Sequence, residues 1–248
     1  MPTELVVEDL NASFDDKVVL HNVAVTAHAG QVLALMGKTG SGKSTFLRVI
    51  NRMAENRGAV VSGRIMLDNS SIFMQDQYSL RTKVGMVFTE PVLFAGSVMS
   101  NITAGLRLQG MKKKQQLEER AEETLKRMEI YADFRDLLLT DSTHLTRSQA
   151  QLICVARALA SRPGLLMLDE PTRMMDTMSS IKLEDILFAL KKECTMVVAV
   201  DTPQMAGRIA EETAMMEDGT ILEWGRTSDL FYHPKNLHTE QYISGKFT

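Results

Sequence analysis

The feature that most constrains the fold is a glycine-rich segment, residues 37–44, which fits the pattern G-x-x-x-x-G-K-[ST]. Residues 32–36 before it are a continuous apolar run, typical of a strand buried on both faces. Residues 46–53 after it repeat apolar side chains at helical spacing. A strand, a glycine-rich turn and a helix in this order are the context that a phosphate-binding loop requires. The segment therefore predicts an α/β domain that binds a nucleoside triphosphate.

The residue types in this segment suit a polyanion with a divalent cation. Glycines let backbone N–H groups turn inward around phosphate, and the following helix points its positive dipole end at the same place. We expect Lys43 to bridge the β- and γ-phosphates, Ser44 to coordinate Mg²⁺ and Thr45 to reach the α-phosphate. A glycine-rich turn without a ligand is the alternative, and the strand–helix context disfavours it. The predicted cofactors are ATP and Mg²⁺, and the predicted loop contacts are Gly37, Lys38, Thr39, Gly40, Ser41, Gly42, Lys43, Ser44 and Thr45.

A second apolar run, residues 165–168, ends in two acids, Asp169 and Glu170. Asp169 at a strand's carboxyl end is placed to hold Mg²⁺ through water. Glu170 beside it suits a base that polarises the attacking water. Alone, the pair could equally be an acidic strand end entering the turn at Pro171. Together with the phosphate-binding loop it predicts hydrolysis, with Glu170 and Lys43 as the catalytic residues and Ser44 and Asp169 as the metal ligands.

The sequence of the rest of the chain predicts strands first, then a helical section, and then alternating strands and helices. Residues 5–7 and 18–25 predict antiparallel strands. Amphipathic helices are predicted over 115–130 and 149–160, and strand signals are absent across 97–160. Alternation of strands with helices predicts a mostly parallel, helix-covered sheet. Further strands are predicted at 64–67, 84–88, 196–200, 214–216 and 221–224, and a further helix at 181–191.

Composition narrows the class of protein and its compartment. The net charge of −3 disfavours a protein that coats nucleic acid, so no nucleic-acid partner is expected. Two cysteines form no disulfide framework or metal-binding spacing, which predicts reduced thiols in the cytosol. No apolar stretch reaches the ~18 residues of a membrane span, and the N-terminal residues do not resemble a signal peptide. Any membrane role is therefore expected to come through a partner.

These motifs, the helical section between them and residues 154–160 resemble the ATP-binding cassette family over nearly the whole chain. The resemblance is closest to the ATP-binding subunits of bacterial phosphate importers. It is carried by residues 46–48, 51–53, 84–88, 105–108 and 239–247.

The resemblance implies a phosphate-loop NTPase (RecA-like) core with a mostly parallel sheet, an N-terminal antiparallel β section and an inserted α-helical subdomain. Residues 1–248 would form one ATPase domain, with the α/β core at 1–92 and 161–248 and the helical subdomain at 93–160. Phe14 would stack on adenine, although a core phenylalanine on an edge strand is the alternative.

The resemblance also implies partners. Two cassettes would form a head-to-tail dimer, with identical copies expected, and sandwich two ATP molecules. Their closure would drive membrane permease subunits. The chain would then be cytoplasmic and peripheral on the inner face of the cell membrane, with inorganic phosphate as the cargo.

The chain departs from the family pattern in the segment that would meet the partner's nucleotide. The family's L-S-G-G-Q signature appears as residues 145–149, with both glycines replaced. Thr146, Ser148 and Gln149 remain the predicted nucleotide contacts there. Arg147 has two open interpretations: it replaces lost N–H contacts by a charge-assisted bond, or it obstructs closure.

Other departures surround the expected γ-phosphate. Thr89 stands where the family has glutamine, and its side chain is expected to be too short to reach both Mg²⁺ and the permease-facing loop. Asp201 stands where a histidine donates to the γ-phosphate, and an ionised aspartate repels it. Asp201 or Thr202 could instead cap the helix beginning at Pro203. Residues 173–175, Arg-Met-Met, are bulkier than the family's turn.

Two hypotheses follow. The first is a transport ATPase that hydrolyses ATP to power phosphate import, with Glu170 as the base. The second is a cassette that binds ATP but turns it over weakly or not at all, acting as a regulatory or heterodimer partner. A cassette acting on nucleic acid or ribosomes is a third and lesser possibility, because the chain has neither tandem cassettes nor long coiled-coil insertions.

Overall fold

A computed structural model describes residues 1–15 and 17–246. The strands are β1 Leu5–Phe14, β2 Lys17–Ala27, β3 Val32–Met36, β4 Ala59–Leu67, β5 Ser70–Ser71, β6 Val84–Val87, β7 Leu165–Asp169, β8 Thr195–Ala199, β9 Glu212–Glu217 and β10 Thr220–Arg226. The α-helices are α1 Lys43–Ile50, α2 Gln77–Lys83, α3 Val98–Ile102, α4 Ala104–Leu108, α5 Lys114–Arg127, α6 Tyr131–Phe134, α7 Arg147–Ala160, α8 Thr177–Leu190, α9 Pro203–Ile209, α10 Thr227–Tyr232 and α11 Leu237–Ile243.

The strands form two sheets. The first has the order β2-β1-β4-β5 and is antiparallel throughout. The second has the order β10-β9-β3-β8-β7-β6, and its pairs are parallel except for the β9–β10 hairpin. Parallel strands place their carboxyl ends at one edge of the sheet, so the ends of β3 and β7 face the same side although β8 lies between them.

The larger sheet divides the hydrophobic core in two. Successive side chains of a strand point to opposite faces of the sheet. All five residues of β3 are buried because both faces are covered. Val32, Ala34 and Met36 belong to a cluster shared with α7 and α8. Leu33 and Leu35 belong to a second cluster shared with α1 and the antiparallel sheet. The five-residue apolar run 32–36, which predicted a strand buried on both faces, is thus explained by cover on each side of the sheet.

Residues 98–160, all within the described part, contain helices and no sheet strand, as their sequence predicted. A single bridge pairs Ser97 with Asp141 at the start of this section. The section packs through α3, α5 and α7 onto the cluster that also covers β3. Its side chains therefore complete the core of the larger sheet.

Helix boundaries differ from the sequence-based limits where backbone conformation sets them. Helix α1 begins at Lys43, three residues before the apolar periodicity, because left-handed Gly42 (φ 106°) precedes it. It ends at Ile50, and Arg52 beyond it has a positive φ of 58°. In the described residues, no helix is both long and apolar enough to cross a membrane.

Candidate nucleotide-binding site

The loop from β3 to α1 has a backbone that only glycine accommodates at two positions. Gly37 has φ 144°, and a Cβ there would lie 2.1 Å from the carbonyl oxygen of Met216. Gly42 has φ 106°, and its Cβ would lie 2.9 Å from Leu20. Left-handed conformations and such close approaches favour glycine because it lacks Cβ. The spacing of these glycines therefore shapes the loop itself.

Hydrogen bonds from neighbouring strands and turns also hold the loop in place. The Gly219 amide, in the β9–β10 turn, donates to the Ser41 carbonyl at 3.0 Å. The carbonyl of Gly219 accepts in turn from the His21 amide of β2 at 2.8 Å. Within the loop, the Ser41 amide donates to the Lys38 carbonyl at 3.1 Å. Both sheets thus hold one loop conformation, in which Ser41 is buried.

Lys43 is the buried cation of the loop, with only 4% of its side chain exposed. Its Nζ donates to the carbonyl of Gly37 at 2.6 Å and to that of Lys38 at 3.1 Å. The same Nζ lies 3.5 Å from Glu170 Oε1. An ammonium has three donors, so Lys43 joins the loop backbone to the acid at the end of β7.

The two acids at the end of β7 meet the loop in different ways. Asp169 accepts from Ser44 Oγ at 2.7 Å through Oδ1 and from Arg48 Nη2 at 3.2 Å through Oδ2. Thr89 Oγ1 donates to the main-chain oxygen of Asp169 at 2.9 Å. Asp169 is 1% exposed, and these bonds fix the orientation of its carboxylate toward the start of α1.

Glu170 lies in a left-handed conformation, with φ 44°. Its amide donates to the Ala199 carbonyl at 2.9 Å, which fastens the turn to β8. Its Oε2 accepts from Arg173 Nη1 at 2.7 Å. This bond, and then the charge of Glu170, raise the pKa of Arg173 above its ordinary value. The carboxylate of Glu170 is therefore flanked by two cations, Lys43 and Arg173.

A cleft of about 340 Å³ opens between these groups. Its walls include both acids, Asp169 and Glu170, and six of the nine predicted loop contacts. These six are Thr39, Gly40, Gly42, Lys43, Ser44 and Thr45, whereas Gly37, Lys38 and Ser41 do not line the cleft. Residues separated by more than a hundred positions in the sequence thus share one cavity, as the two motifs predicted.

The cleft fits the groups that the sequence predicted. Ser44 Oγ and the Asp169 carboxylate are hard oxygen donors of the kind Mg²⁺ prefers. The described residues contain no cluster of three or more metal-binding His, Cys, Asp or Glu. Mg²⁺ in nucleotide sites usually takes only one or two carboxylates besides phosphate.

The signature segment lies at the start of α7 and is engaged within its own chain. Thr146 is the N-cap: its Oγ1 accepts from the Gln149 amide at 3.2 Å, and Gln149 Oε1 accepts from the Thr146 amide at 3.0 Å. Ser148 is buried and its Oγ donates to Asp176 Oδ2 at 2.6 Å. Arg147 is exposed. Among the described residues, none of the hydrogen bonds of Thr146, Ser148 and Gln149 reaches residues 37–44.

The remaining predicted positions have clear places. Phe14 ends β1, is half-buried and packs against the cluster shared with α1. Thr202 caps α9, since its Oγ1 accepts from the Met205 amide at 3.3 Å, while Asp201 is exposed. Of the tail used in the resemblance, Phe247 lies outside the described residues.

The sequence motifs did not predict two contacts that Arg48 and Tyr242 make in the site. Arg48, one helical turn after Ser44, shares its face of α1, and that spacing could have revealed its contact with Asp169. Tyr242 Oη of α11 donates to the Gly37 carbonyl at 3.3 Å. No local pattern predicts a contact between positions this far apart in sequence.

Comparison with known proteins agrees with this geometry. The family model described as ABC transporter matches residues 20–173. Phosphate import ATP-binding proteins of Streptococcus agalactiae and Lactobacillus johnsonii are each 39% identical to the chain. The first match covers 98% of both chains and the second 97% of both. A phosphate import ATP-binding protein of Borreliella afzelii is 37% identical over 97% of this chain and 94% of its own.

Solved structures give the same fold. A Clostridium perfringens protein, described as part of the ABC transporter complex cbiONQ, superposes with a TM-score of 0.81 at 26% identity, over 98% of this chain and 96% of its own. A bacterial ABC exporter with ATP bound has a TM-score of 0.83 at 22% identity, and this chain spans 43% of its length. The predicted fold class, a phosphate-loop core with an antiparallel section and inserted helices, is confirmed. The chain therefore belongs to the ABC transporter family and is an ATP-binding subunit of its ATP-hydrolysing transport ATPases.

Proposed function

We propose that the chain hydrolyses Mg²⁺-bound ATP to power the uptake of inorganic phosphate through a membrane permease. The cargo is supported by relatives that are named for phosphate import and match nearly the full chain. The chemistry is supported by one observation above all. Ser44 Oγ lies 2.7 Å from Asp169, and Lys43 Nζ lies 3.5 Å from Glu170, in a single cleft.

In this proposal each group has a defined task. Lys43 exchanges the carbonyls of Gly37 and Lys38 for phosphate oxygens and so orients the β- and γ-phosphates. Ser44 and Asp169 would hold Mg²⁺, which would supply positive charge to offset the charge that develops on the phosphoryl oxygens. The carboxylate of Glu170 accepts a proton from the attacking water. Most of the catalysis is then positioning and electrostatic stabilisation, as is usual for phosphoryl transfer.

The partners follow from the same proposal. Residues 1–92 and 161–248 serve as the nucleotide-binding core and residues 93–160 as the helical subdomain. Two identical copies dimerise head to tail, with Thr146, Ser148 and Gln149 of one facing the ATP held by the other. Phe14 stacks on the adenine. No nucleic acid takes part.

The permease is proposed to dock where the core meets the helical section. A groove of about 340 Å³ lies there, with Met86 of β6 on one side and Arg157 of α7 on the other. Exposed Phe94, whose ring lies under the Arg157 guanidinium at 4.7 Å, provides apolar area beside the groove. Through this contact the chain would lie on the inner face of the cell membrane.

A second candidate function is an ATP-binding cassette with weak turnover. It is favoured by the bond between Arg173 and Glu170, which occupies the proposed base. It is also favoured by the bond of Ser148 to Asp176, which occupies a hydroxyl of the signature segment. Such a chain would serve as a regulatory or heterodimer partner.

The deciding experiment measures ATP binding and phosphate release side by side, with and without permease subunits. We expect Lys43→Ala to abolish ATP binding and Glu170→Gln to bind ATP but lose turnover by a hundredfold or more. Lys126→Ala and Glu118→Gln on the surface of α5 are matched controls that should behave as wild type. Wild-type turnover no faster than that of Glu170→Gln would instead establish the weakly active cassette. Phosphate uptake by vesicles carrying the permease tests the cargo.

A further inference from the structure

Arg173 lies in the turn after β7 and lines the same cleft as Lys43 and Ser44. Its Nη1 is 2.7 Å from Glu170 Oε2, while Lys43 Nζ is 3.5 Å from Glu170 Oε1. The three groups form a row in which the carboxylate separates two cations. Lys43 is at the end that touches the loop backbone, and Arg173 is at the end away from it.

The two cations differ in how firmly they are held. Lys43 is 4% exposed and bonded to two loop carbonyls. The side chain of Arg173 is 50% exposed. Its neighbouring charges are Glu170 and, at longer range, Asp201, both of which raise its pKa. Water competes for the half-exposed guanidinium but hardly for the Glu170 side chain, which is 10% exposed. When the guanidinium leaves, Glu170 still faces the Lys43 ammonium at 3.5 Å, so its buried charge keeps a partner.

A nucleoside triphosphate changes the balance of charge in the cleft. Its outer phosphate is more highly charged than a carboxylate, and a planar guanidinium bonds phosphate oxygens in pairs. The two oxygens of the Glu170 carboxylate both face cations, Lys43 at 3.5 Å and Arg173 at 2.7 Å. Departure of Arg173 would thus serve the ligand and leave Oε2 of Glu170 open to water.

We propose that Arg173 contacts the terminal phosphate of the nucleotide bound by its own chain, leaving Glu170 to do so. The inference deepens the proposed function and rests on its assignment of residues 37–44 to the triphosphate. Arg173 becomes a catalytic residue supplied in the same chain, and its reach beyond Glu170 selects triphosphate over diphosphate.

The test compares equilibrium binding of the non-hydrolysable β,γ-imido analogue of ATP with that of ADP, both with Mg²⁺. We expect Arg173→Ala to weaken analogue binding about 10- to 100-fold, the usual effect of losing a charged hydrogen bond, and to leave ADP binding unchanged. Arg173→Lys should fall between, since it keeps the charge and loses the paired geometry. Arg208→Ala is a matched control, because Arg208 is 44% exposed and pairs with Glu184 and Asp185 outside the cleft.

Three results would overturn the inference. Equal losses for the analogue and ADP would mean that Arg173 only supports the fold. Unchanged affinity for both would remove it from the phosphate. Faster ATP turnover in Arg173→Ala, with analogue affinity unchanged, would make it only a restraint on Glu170. A wild type that binds neither nucleotide contradicts the proposed function as well, and that outcome is visible before any variant is made.

Discussion

At the scale of single residues, Glu170 has a strained backbone conformation, with a positive φ of 44°. A positive φ is uncommon for a residue with a side chain, and such conformations cost about 1–3 kcal/mol and cluster at functional sites. The hydrogen bond from the Glu170 amide to the Ala199 carbonyl holds this backbone conformation, together with the ion pairs of the carboxylate with Lys43 and Arg173. The backbone thus directs the carboxylate into the cleft rather than along the strand.

The Ser44–Asp169 pair leads to a prediction about metal removal. In wild type, chelation of Mg²⁺ by EDTA should weaken ATP binding by about tenfold or more, because the ion would be held by Ser44 and Asp169 and would offset the charge of the phosphates. Ser44→Ala removes one proposed ligand and should bind ATP weakly with or without EDTA. Isothermal titration calorimetry checks both. A strong and equal EDTA effect in Ser44→Ala would exclude Ser44 as a ligand.

The roles of Asp201 and Thr202 can be distinguished by substitution, because only Thr202 caps α9. Thr202→Ala should lower the free energy of unfolding by about 1 kcal/mol, the usual effect of a lost N-cap, as urea denaturation would measure. Asp201→His should leave stability unchanged and raise ATP turnover, since it replaces a repelling charge with a donor. Unchanged turnover would remove Asp201 as a limit on the rate.

At the scale of elements, the starts of α7 and α8 are joined through one carboxylate. Asp176, the N-cap of α8, accepts from Ser148 Oγ at 2.6 Å and from the Ser179 amide at 2.9 Å. These bonds, that of Ser148 first, hold the pKa of Asp176 well below its usual range. The signature helix is therefore coupled to the turn that follows Glu170.

This coupling has a predictable pH dependence. A carboxyl whose pKa is lowered on folding stabilises the fold above the ordinary aspartate range, and the contribution is lost as the pH falls toward the lowered value. Ser148→Ala should raise the pKa of Asp176 toward the usual range, so the stabilisation becomes smaller and its loss is complete at a higher pH. Carboxyl carbon NMR titration of wild type and variant measures it. Ser180→Ala is the control, because its hydroxyl bonds only the main-chain oxygen of Asp176.

The sequence predicted elements well wherever burial alone defines them. The runs at 32–36 and 165–168 are strands because both faces are covered by core. Boundaries were less predictable, since α1 starts where left-handed Gly42 permits it. In the site, Lys43, Ser44, Asp169 and Glu170 were predictable because each motif carries its own spacing. The contact of Arg173 with Glu170 depends on the conformation of the turn after β7. The contact of Tyr242 with Gly37 depends on which elements meet in space, which no local pattern encodes.

At the scale of the whole molecule, the reactivity of the two thiols shows whether the hydrophobic core on their side of the larger sheet is intact. Cys154 and Cys194 belong to the cluster shared by α7, α8 and β3 and are buried. Burial raises the pKa of Cys194 to about 12 and raises that of Cys154 as well. The thiolate is the reactive form, so both cysteines should be inert in the folded chain.

Thiol labelling at pH 8 tests this. At the pKa of about 12 of Cys194, only about one thiol in ten thousand is ionised. Burial also raises the pKa of Cys154, so we expect no Ellman's reagent signal from native protein within minutes. Urea at unfolding concentrations should expose two thiols per chain. Rapid native labelling at either cysteine would contradict the burial described here, and labelling of Cys194→Ser identifies which one reacts.

The fastening of the loop to both sheets has a thermodynamic consequence. The hydrogen bonds from Gly219 to Ser41 and from His21 to Gly219 join segments far apart in sequence, so the loop acquires its shape when the chain folds. A ligand that enters a preorganised site loses less free energy to ordering of the protein. The heat capacity of the protein should therefore change little on nucleotide binding. Exchange protection of the Gly219 and Ser41 amides, which donate to Ser41 and Lys38, should disappear only with global unfolding.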